Sequence, residues 1–339
     1  MRILIEGIGG VGGVVAGELI RAGHKPTLVS GNVEIANAIG RRGLRVKTPE
    51  KSFEVHPEVN ASLDELKSDA KFDAALLIMK ANRVLKAAKD SLAVLAPGGF
   101  VVTFQNGIVE DSVAEVVGKQ RVVSAIIGFG ATMHQPGEYE RTSGGKIHLG
   151  EMDSPPSDRT KTLGKILSAV TAIDLNSNMR GALWSKLAIN CIVTSIGGLT
   201  GMGLGQMLSE QKLRNIFLGV YREVIDTAEA AGIRLEKIAA NPKLLYLPQN
   251  ASHLTRLYKD FLLRMVGRKY AGLKSSIIQS LERARPTEID YLNGHVVQTA
   301  ENLGLSVPLN RRIVEMISEI ENGSRVMGLG NLRELESFL

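Results

Sequence analysis

The 339-residue chain predicts an α/β N-terminal domain on a doubly wound, mostly parallel sheet, followed by an all-α C-terminal domain. Three observations carry this expectation. Gly7, Gly9 and Gly12 fall in the G-x-G-x-x-G spacing between two short apolar runs. The first half then alternates strand-like and helix-like segments, an order that builds a parallel sheet covered on both faces. After about Asn176 the strand-like runs stop and long helical periodicity takes over. The expected domains are 1–176, binding a dinucleotide, and 177–339, all-helical.

The first strand is expected at Ile3–Glu6, the glycine turn and a helix near 11–22 follow, and a second strand lies at Thr27–Val29. In such a unit Gly7 permits the tight turn, Gly9 lets backbone approach a pyrophosphate, and Gly12 lets helix pack close on strand. The helix N-terminus then offers N–H groups and partial positive charge to phosphates. Further strands are expected at Leu44–Val46, Ala74–Met79, Phe100–Phe104, Val122–Ile127 and Lys146–Gly150, with helices near 33–42, 83–95, 108–117 and 158–171. Pro97-Gly98-Gly99 reads as a turn launching the strand at Phe100. In the second half helices are expected near 181–197, 207–232, 253–284, 287–303 and 309–329.

Composition narrows the function classes. Charged residues make up 22% and hydrophobic residues 44%, as in ordinary soluble proteins. Aromatics are only 4%, which argues against a nucleic-acid surface of stacked bases. The net charge of +6 suits anionic ligands. Cys191 is the one cysteine, so no intrachain disulfide forms, and its apolar helical setting reads as an inert buried thiol. The six histidines show no ligand spacing, and no metal site is expected. No basic-then-apolar leader precedes the first strand, so a cytoplasmic location is expected. The uncharged stretch Leu187–Ser209 contains five glycines and reads as a buried helix running into a loop rather than a membrane span.

Several polar residues interrupt apolar patterns. Lys186, Asn190 and Thr194 recur at spacing four and share one helix face. Such a lysine either snorkels to solvent or faces a cleft, where it could donate a proton beside a substrate-binding asparagine. A second stripe is Ser276, Gln279 and Arg283. Pro286 suits a helix start and places Glu288 in the first turn, where a carboxylate is favoured. Lys80 and Asn106 end strand-like runs, and ligands of doubly wound sheets bind at carboxyl ends of strands.

Taken together, the segments GIGGVGG, LLIMKAN, FQNGI, GFGATMHQPGEYERTSGGKIHLGE, LWSKLAINC and LERARPTEIDYLNG resemble the 2-dehydropantoate 2-reductases (ketopantoate reductases) over nearly the whole chain. The resemblance implies a Rossmann domain, a helical domain, an active site in the cleft between them, and NADPH-dependent reduction of a 2-keto acid. It implies that Lys186 is the general acid. Glu288 contacts substrate and positions the lysine, and Asn106, Asn190, Thr194 and Ser276 contact the keto acid. The cofactor is assigned to Gly7, Ile8, Gly9, Gly10, Val11 and Gly12, to Ser30 and Asn32, and to Lys80, Asn106 and Glu288.

Three departures stand out. Thr194 replaces a second asparagine common in the family. The arginine that holds the NADP 2′-phosphate is missing, its positions being Ser30, Gly31 and Asn32, with no Asp or Glu there for an NAD-type ribose contact. Arg41 and Arg42 are expected as substitutes, with NAD as the alternative cofactor. The segment 236–272 is longer than in compact members and is expected to reshape the substrate entrance or make a subunit contact. Rival readings are a reductase of another 2-keto acid or opine-like substrate, and a nucleotide sensor without turnover. The partners expected are a small 2-keto acid, no nucleic acid and no membrane, with a homodimer left open.

Overall fold

The computed structural model describes residues 1–67, 69–238, 241–272 and 275–339. The chain forms two compact units, one of residues 1–105 and 109–179, the other of 106–108 and 180–339.

The first unit carries β1 (Ile3–Glu6), α1 (Gly10–Arg21), β2 (Thr27–Val29), α2 (Val33–Arg42), β3 (Leu44–Lys47), β4 (Ser52–Val55), β5 (Val59–Asn60), β6 (Phe72–Leu77), α3 (Ala81–Ser91), β7 (Leu95–Thr103) and α4 (Glu110–Val117). It continues with β8 (Val122–Ile127), β9 (Ala131–Gln135), β10 (Glu138–Arg141), β11 (Ile147–Gly150), α5 (Asp158–Leu167) and β12 (Ile173–Leu175). Eight strands form one sheet in the order β12-β11-β8-β7-β6-β1-β2-β5. It is mostly parallel, with the β11–β8 pair antiparallel. The central strands β1, β6 and β7 are buried almost throughout and read as continuous apolar runs, as two-sided burial requires.

β1 pairs with β2 on one side and β6 on the other, so strand order reverses at β1. The glycine turn leaves β1 at this switch point, where doubly wound sheets bind ligands.

Four strands form a second sheet, β4-β3-β10-β9, which the sequence reading did not contain. It packs on α1 through small residues. A Cβ at Gly13 would stand 2.3 Å from the Tyr139 ring. The Pro97-Gly98-Gly99 turn is also corrected. β7 already begins at Leu95, and the exposed Pro97 and Gly98 lie where its register against β6 shifts.

The second unit is helical: α6 (Met179–Thr200), α7 (Leu204–Ser209), α8 (Gln211–Ala230), α9 (His253–Lys269), α10 (Ser276–Leu281), α11 (Asn293–Asn302), α12 (Pro308–Glu321) and α13 (Leu332–Glu336). α6 is long and apolar enough to cross a membrane by length and composition, yet 72% of its apolar window is buried inside the fold. The helix expected over 253–284 is two helices, α9 and α10; positions 273 and 274 of that span lie outside the described residues, as do 239 and 240 of the 236–272 segment.

A buried polar chain joins four helices of this unit. Ser195 Oγ donates to Asn293 Oδ1 at 2.5 Å, and Asn293 Nδ2 donates to Asn310 Oδ1 at 2.8 Å. Asn310 Nδ2 in turn reaches Glu223 Oε2 at 2.8 Å. The Glu223 carboxylate also accepts the backbone N–H groups of Leu309 and Asn310 at 3.0 and 2.9 Å, closing the start of α12. Satisfied networks of this kind fix one helix arrangement.

Candidate active site

The first unit holds a cradle after β1. Gly7 sits at φ +94°, and a Cβ there would press on the Ile78 carbonyl oxygen at 2.4 Å. A Cβ on Gly12 would stand 1.9 Å from the Gly7 carbonyl oxygen, so helix and turn approach closely only because Gly12 has none. At Gly9, the N-cap of α1, a Cβ would meet nothing within 4 Å. The backbone there faces open space beside the first N–H groups of α1, Gly10 to Gly12, which lack intrahelical acceptors. Open space at Gly9, an uncapped helix start and the sheet's switch point together suit a dinucleotide pyrophosphate.

Two side chains that sequence reasoning missed hold this region. Tyr139 Oη, buried under the second sheet, donates to the Ile8 carbonyl at 3.0 Å and fixes the glycine turn. Burial holds its hydroxyl protonated, the state that donates. The signal was present as the alternating Glu138-Tyr139-Glu140-Arg141, with Tyr139 on the inward side. Gln105 Nε2 donates to the carbonyls of Leu77 and Met79 at 2.7 and 3.0 Å. It thereby sets the chain leading to Lys80, an exposed residue and the N-cap of α3.

After β2, Ser30 Oγ donates to the Asn32 carbonyl at 2.6 Å, and Asn32 Oδ1 accepts from Ile35 N at 3.1 Å, capping α2. Gly31 between them is exposed at φ +66°. Arg41 and Arg42 were the expected substitutes for the missing arginine. Both lie in the last turn of α2, about 12 Å along the axis from its start at ~1.5 Å per residue. Arg42 is also turned onto the Pro136 carbonyl at 3.1 Å. α2 therefore carries both away from the end of β2.

In the second unit α6 is buried on all sides but one. Past its first turn, only Lys186, Ile189, Asn190 and Val193 are not buried, and helical spacing puts them on one stripe. Ile189 is 38% exposed, whereas Thr194, expected on the same stripe, retains only 9%. The opposite face is anchored: Trp184 meets the His295 ring edge-on at 5.5 Å, and the Cys191 carbonyl accepts from Asn293 Nδ2 at 3.4 Å. Burial pushes the Cys191 thiol well up, so it stays protonated and inert.

α10 packs on the C-terminal half of α6 by close approach. A Cβ on Gly198 would meet Ile277 Cγ2 at 2.3 Å. Ser275 caps α10 and donates to the Thr194 carbonyl at 2.5 Å, which sets the exposed Ser276 one residue beyond. Arg283 falls past the end of α10 and leaves the expected stripe.

Glu288 is also corrected in its local setting. It precedes a single 3₁₀ turn, Ile289–Tyr291, and is not in the first turn of an α-helix. Thr287 is the reason: its N–H donates to Glu321 Oε1 at 2.6 Å and its hydroxyl accepts from Ile289 N at 3.2 Å. The helix begins instead at Asn293, the residue pinned to α6. Asn106 belongs to this same unit. Gly107 follows it at φ +90°, against the Tyr291 carbonyl. The second unit thus brings Asn106 to the Glu288 turn and ties that turn to the helix carrying Lys186 and Asn190. Asn293, which no pattern singled out, makes the tie.

The family model described as ketopantoate reductase PanE/ApbA matches residues 3–154, and its C-terminal companion matches residues 178–321. The 2-dehydropantoate 2-reductase of Pyrococcus abyssi is 25% identical over 315 residues, covering 91% of this chain and 94% of that protein. That of Archaeoglobus fulgidus is 22% identical, covering 95% and 98%. Among solved structures, a PanE/ApbA family ketopantoate reductase from Ralstonia eutropha JMP134 superposes with a TM-score of 0.80 at 25% identity, covering 95% of this chain and 99% of that one. A D-mandelate dehydrogenase solved with NADH and anilino(oxo)acetate shares the fold with a TM-score of 0.81 at 19% identity, covering 96% and 100%.

Proposed function

This chain belongs to the ketopantoate reductase family and is an oxidoreductase using a nicotinamide cofactor, and from that premise we propose that it reduces a 2-keto acid to the 2-hydroxy acid with NADPH, ketopantoate to pantoate being the favoured reading. The observation that carries the proposal is the single polar opening on α6, where Lys186 and Asn190 stand one turn apart on an otherwise buried helix.

NADPH, when bound, supplies the hydride. The Gly7–Gly12 turn and the start of α1 would hold its pyrophosphate, with Ser30 and Asn32 at the ribose side and Lys80 and Asn106 at neighbouring strand ends. No carboxylate stands at 30–32 to make an NAD-type ribose contact. As charge develops on the keto oxygen, the Lys186 ammonium stabilises it and delivers the proton, a role worth roughly 10²–10⁴-fold in rate. Asn190 and Asn106 hydrogen-bond the substrate, Ser276 contributes from α10, and Glu288 holds the substrate hydroxyl side and the lysine in place. Orientation of these groups is the protein's share of the work.

A second reading, reduction of a different 2-keto acid by the same chemistry, is favoured by Thr194, a short and nearly buried residue where the family often carries asparagine. The test is NADPH oxidation followed with ketopantoate beside a panel of 2-keto acids. Turnover highest with ketopantoate supports the first reading, turnover highest with another keto acid the second. No turnover with any of them overturns both and leaves a nucleotide sensor.

A further inference from the structure

A groove of about 620 Å³ opens between the end of α10 and the end of α12, a volume suited to a small ligand. Its apolar lining includes Leu281, Ile320 and Met327, each half-buried. Arg285 and Glu321 stand on its walls. We propose that this groove is an effector site for an α-amino acid with a large apolar side chain.

The groove is preformed. Arg325 closes one side, its Nε donating to Glu319 Oε2 at 2.5 Å and its Nη1 to Asn331 Oδ1 at 2.8 Å. The same segment is tied to α6, where the Leu199 carbonyl accepts from Gly328 N and from Asn331 Nδ2, each at 2.9 Å. On the other side Ala284 sits at φ +48°, alone among the described non-glycine residues in having a positive φ. Strained backbone of this kind persists where surrounding structure enforces it, and it clusters at ligand clamps and switches. The end of α10 enforces it here: Ala284 N donates to the Leu281 carbonyl at 3.0 Å and Arg285 N to the Ser280 carbonyl at 2.9 Å. A ligand therefore meets walls that need no rearrangement.

Charge selects the ligand. The exposed Arg285 guanidinium has no hydrogen-bond or ion-pair partner among the described residues. Glu321 accepts the Thr287 N–H through Oε1 at 2.6 Å, which leaves Oε2 open. A guanidinium takes a carboxylate as a bidentate pair, and an open carboxylate oxygen takes an ammonium. One molecule that carries both, with an apolar side chain to lie on Leu281 and Ile320, is an apolar α-amino acid. The adaptable Met327 thioether favours a ring on that side chain. A fatty acid would offer Glu321 nothing but its own charge, and an amine would leave Arg285 unpaired. Occupancy also has a consequence for the site. Ammonium pairing draws charge from the carboxylate that holds Thr287, and so loosens the turn that Glu288 begins. That consequence rests on the role proposed above for Glu288.

The test is isothermal titration calorimetry of the full chain with L-phenylalanine. One site with Kd below ~1 mM is expected. 3-Phenylpropanoate lacks the ammonium and phenethylamine the carboxylate, and each should bind at least about tenfold more weakly. Arg285→Ala and Glu321→Gln should weaken phenylalanine by a similar factor. Glutamine still accepts the Thr287 N–H and Arg285 is exposed, so both variants should melt like wild type. Lys186→Ala should bind phenylalanine as wild type does. Bound phenylalanine should speed hydrogen exchange at the Thr287 amide and raise KM for the keto acid at least about fivefold, in wild type and not in Arg285→Ala. No saturable binding, or binding lost in Lys186→Ala, overturns the proposal. So does binding that leaves Thr287 exchange or KM unchanged. Absence of turnover with every keto acid would overturn the proposed reaction alone, since calorimetry and exchange still decide the site.

Discussion

Ile108 donates its backbone N–H to the carbonyl of Tyr291 at 3.2 Å, so the segment that follows β7 is stitched to the turn that Glu288 begins. This bond joins residues 183 positions apart and makes Asn106–Ile108 part of the helical unit. It also anchors the turn that begins at Glu288, which the local sequence alone does not. Glu288→Gln is nearly isosteric. It should preserve folding and NADPH binding while cutting kcat/KM for the keto acid more than tenfold, a loss above ~1.4 kcal/mol of transition-state stabilisation. Steady-state kinetics beside a thermal melt decide it; wild-type kinetics would reduce Glu288 to a turn residue.

Lys186→Ala should lower kcat by at least about two orders of magnitude, with NADPH affinity by fluorescence titration unchanged. The lysine sits partly exposed at the opening on α6 and not in the core, so its loss leaves no core cavity. An alanine variant with near-normal turnover would place the proton donor elsewhere.

Gly9 and Gly12 should respond oppositely. Gly9 has φ −82° and open space at its Cβ position, so Gly9→Val should fold normally and lose NADPH binding. At Gly12 the new Cβ would strike the Gly7 carbonyl, so Gly12→Ala should lower Tm sharply. Retained NADPH affinity in Gly9→Val would show that the cofactor lies elsewhere.

Asn32→Asp tests cofactor choice without harming α2, because aspartate caps a helix as well as asparagine does. The new carboxylate should repel a 2′-phosphate and bond a ribose hydroxyl. Preference should move at least about tenfold from NADPH toward NADH, whereas Arg41→Ala should leave it nearly unchanged. The reverse pattern would return the phosphate contact to Arg41.

Glu6, at the end of β1, should make stability fall with rising pH. Burial pushes its carboxyl up from an ordinary 4.5 to about 7, outweighing the lowering by Ser91. Ser91 Oγ lies 2.5 Å from Glu6 Oε1 and 2.7 Å from the Ala87 carbonyl, and one hydroxyl proton cannot serve both unless Glu6 carries its own. Between pH 4.5 and 7 the folded chain keeps a proton that the unfolded chain releases. Stability is therefore full below about 4.5 and declines as pH rises toward 7. Glu6→Gln should remove that decline and gain on the order of 3 kcal/mol at pH 8. Parallel pH profiles of Tm for variant and wild type would refute the assignment.

The sequence by itself determined the α/β-then-α order, the glycine turn at the end of β1 and the shared face of Lys186 and Asn190. Each is written in a local period or spacing, and the backbone geometry of strand and helix converts spacing into position without outside help. Only the tertiary structure decided the rest. The second sheet was not legible because its strands are short and partly polar, and β3 finds β10 some ninety residues later. Arg41 looked close to the end of β2 in sequence, but a helix turned that proximity into axial distance. Pro286 looked like a helix start until Thr287 was claimed by Glu321, far along the chain. Asn293 and Tyr139, which hold the two halves of the proposed machinery in place, act through partners about a hundred or more residues away. Hydrogen bonds between such distant residues have no period to read, and packing alone selects which of them form.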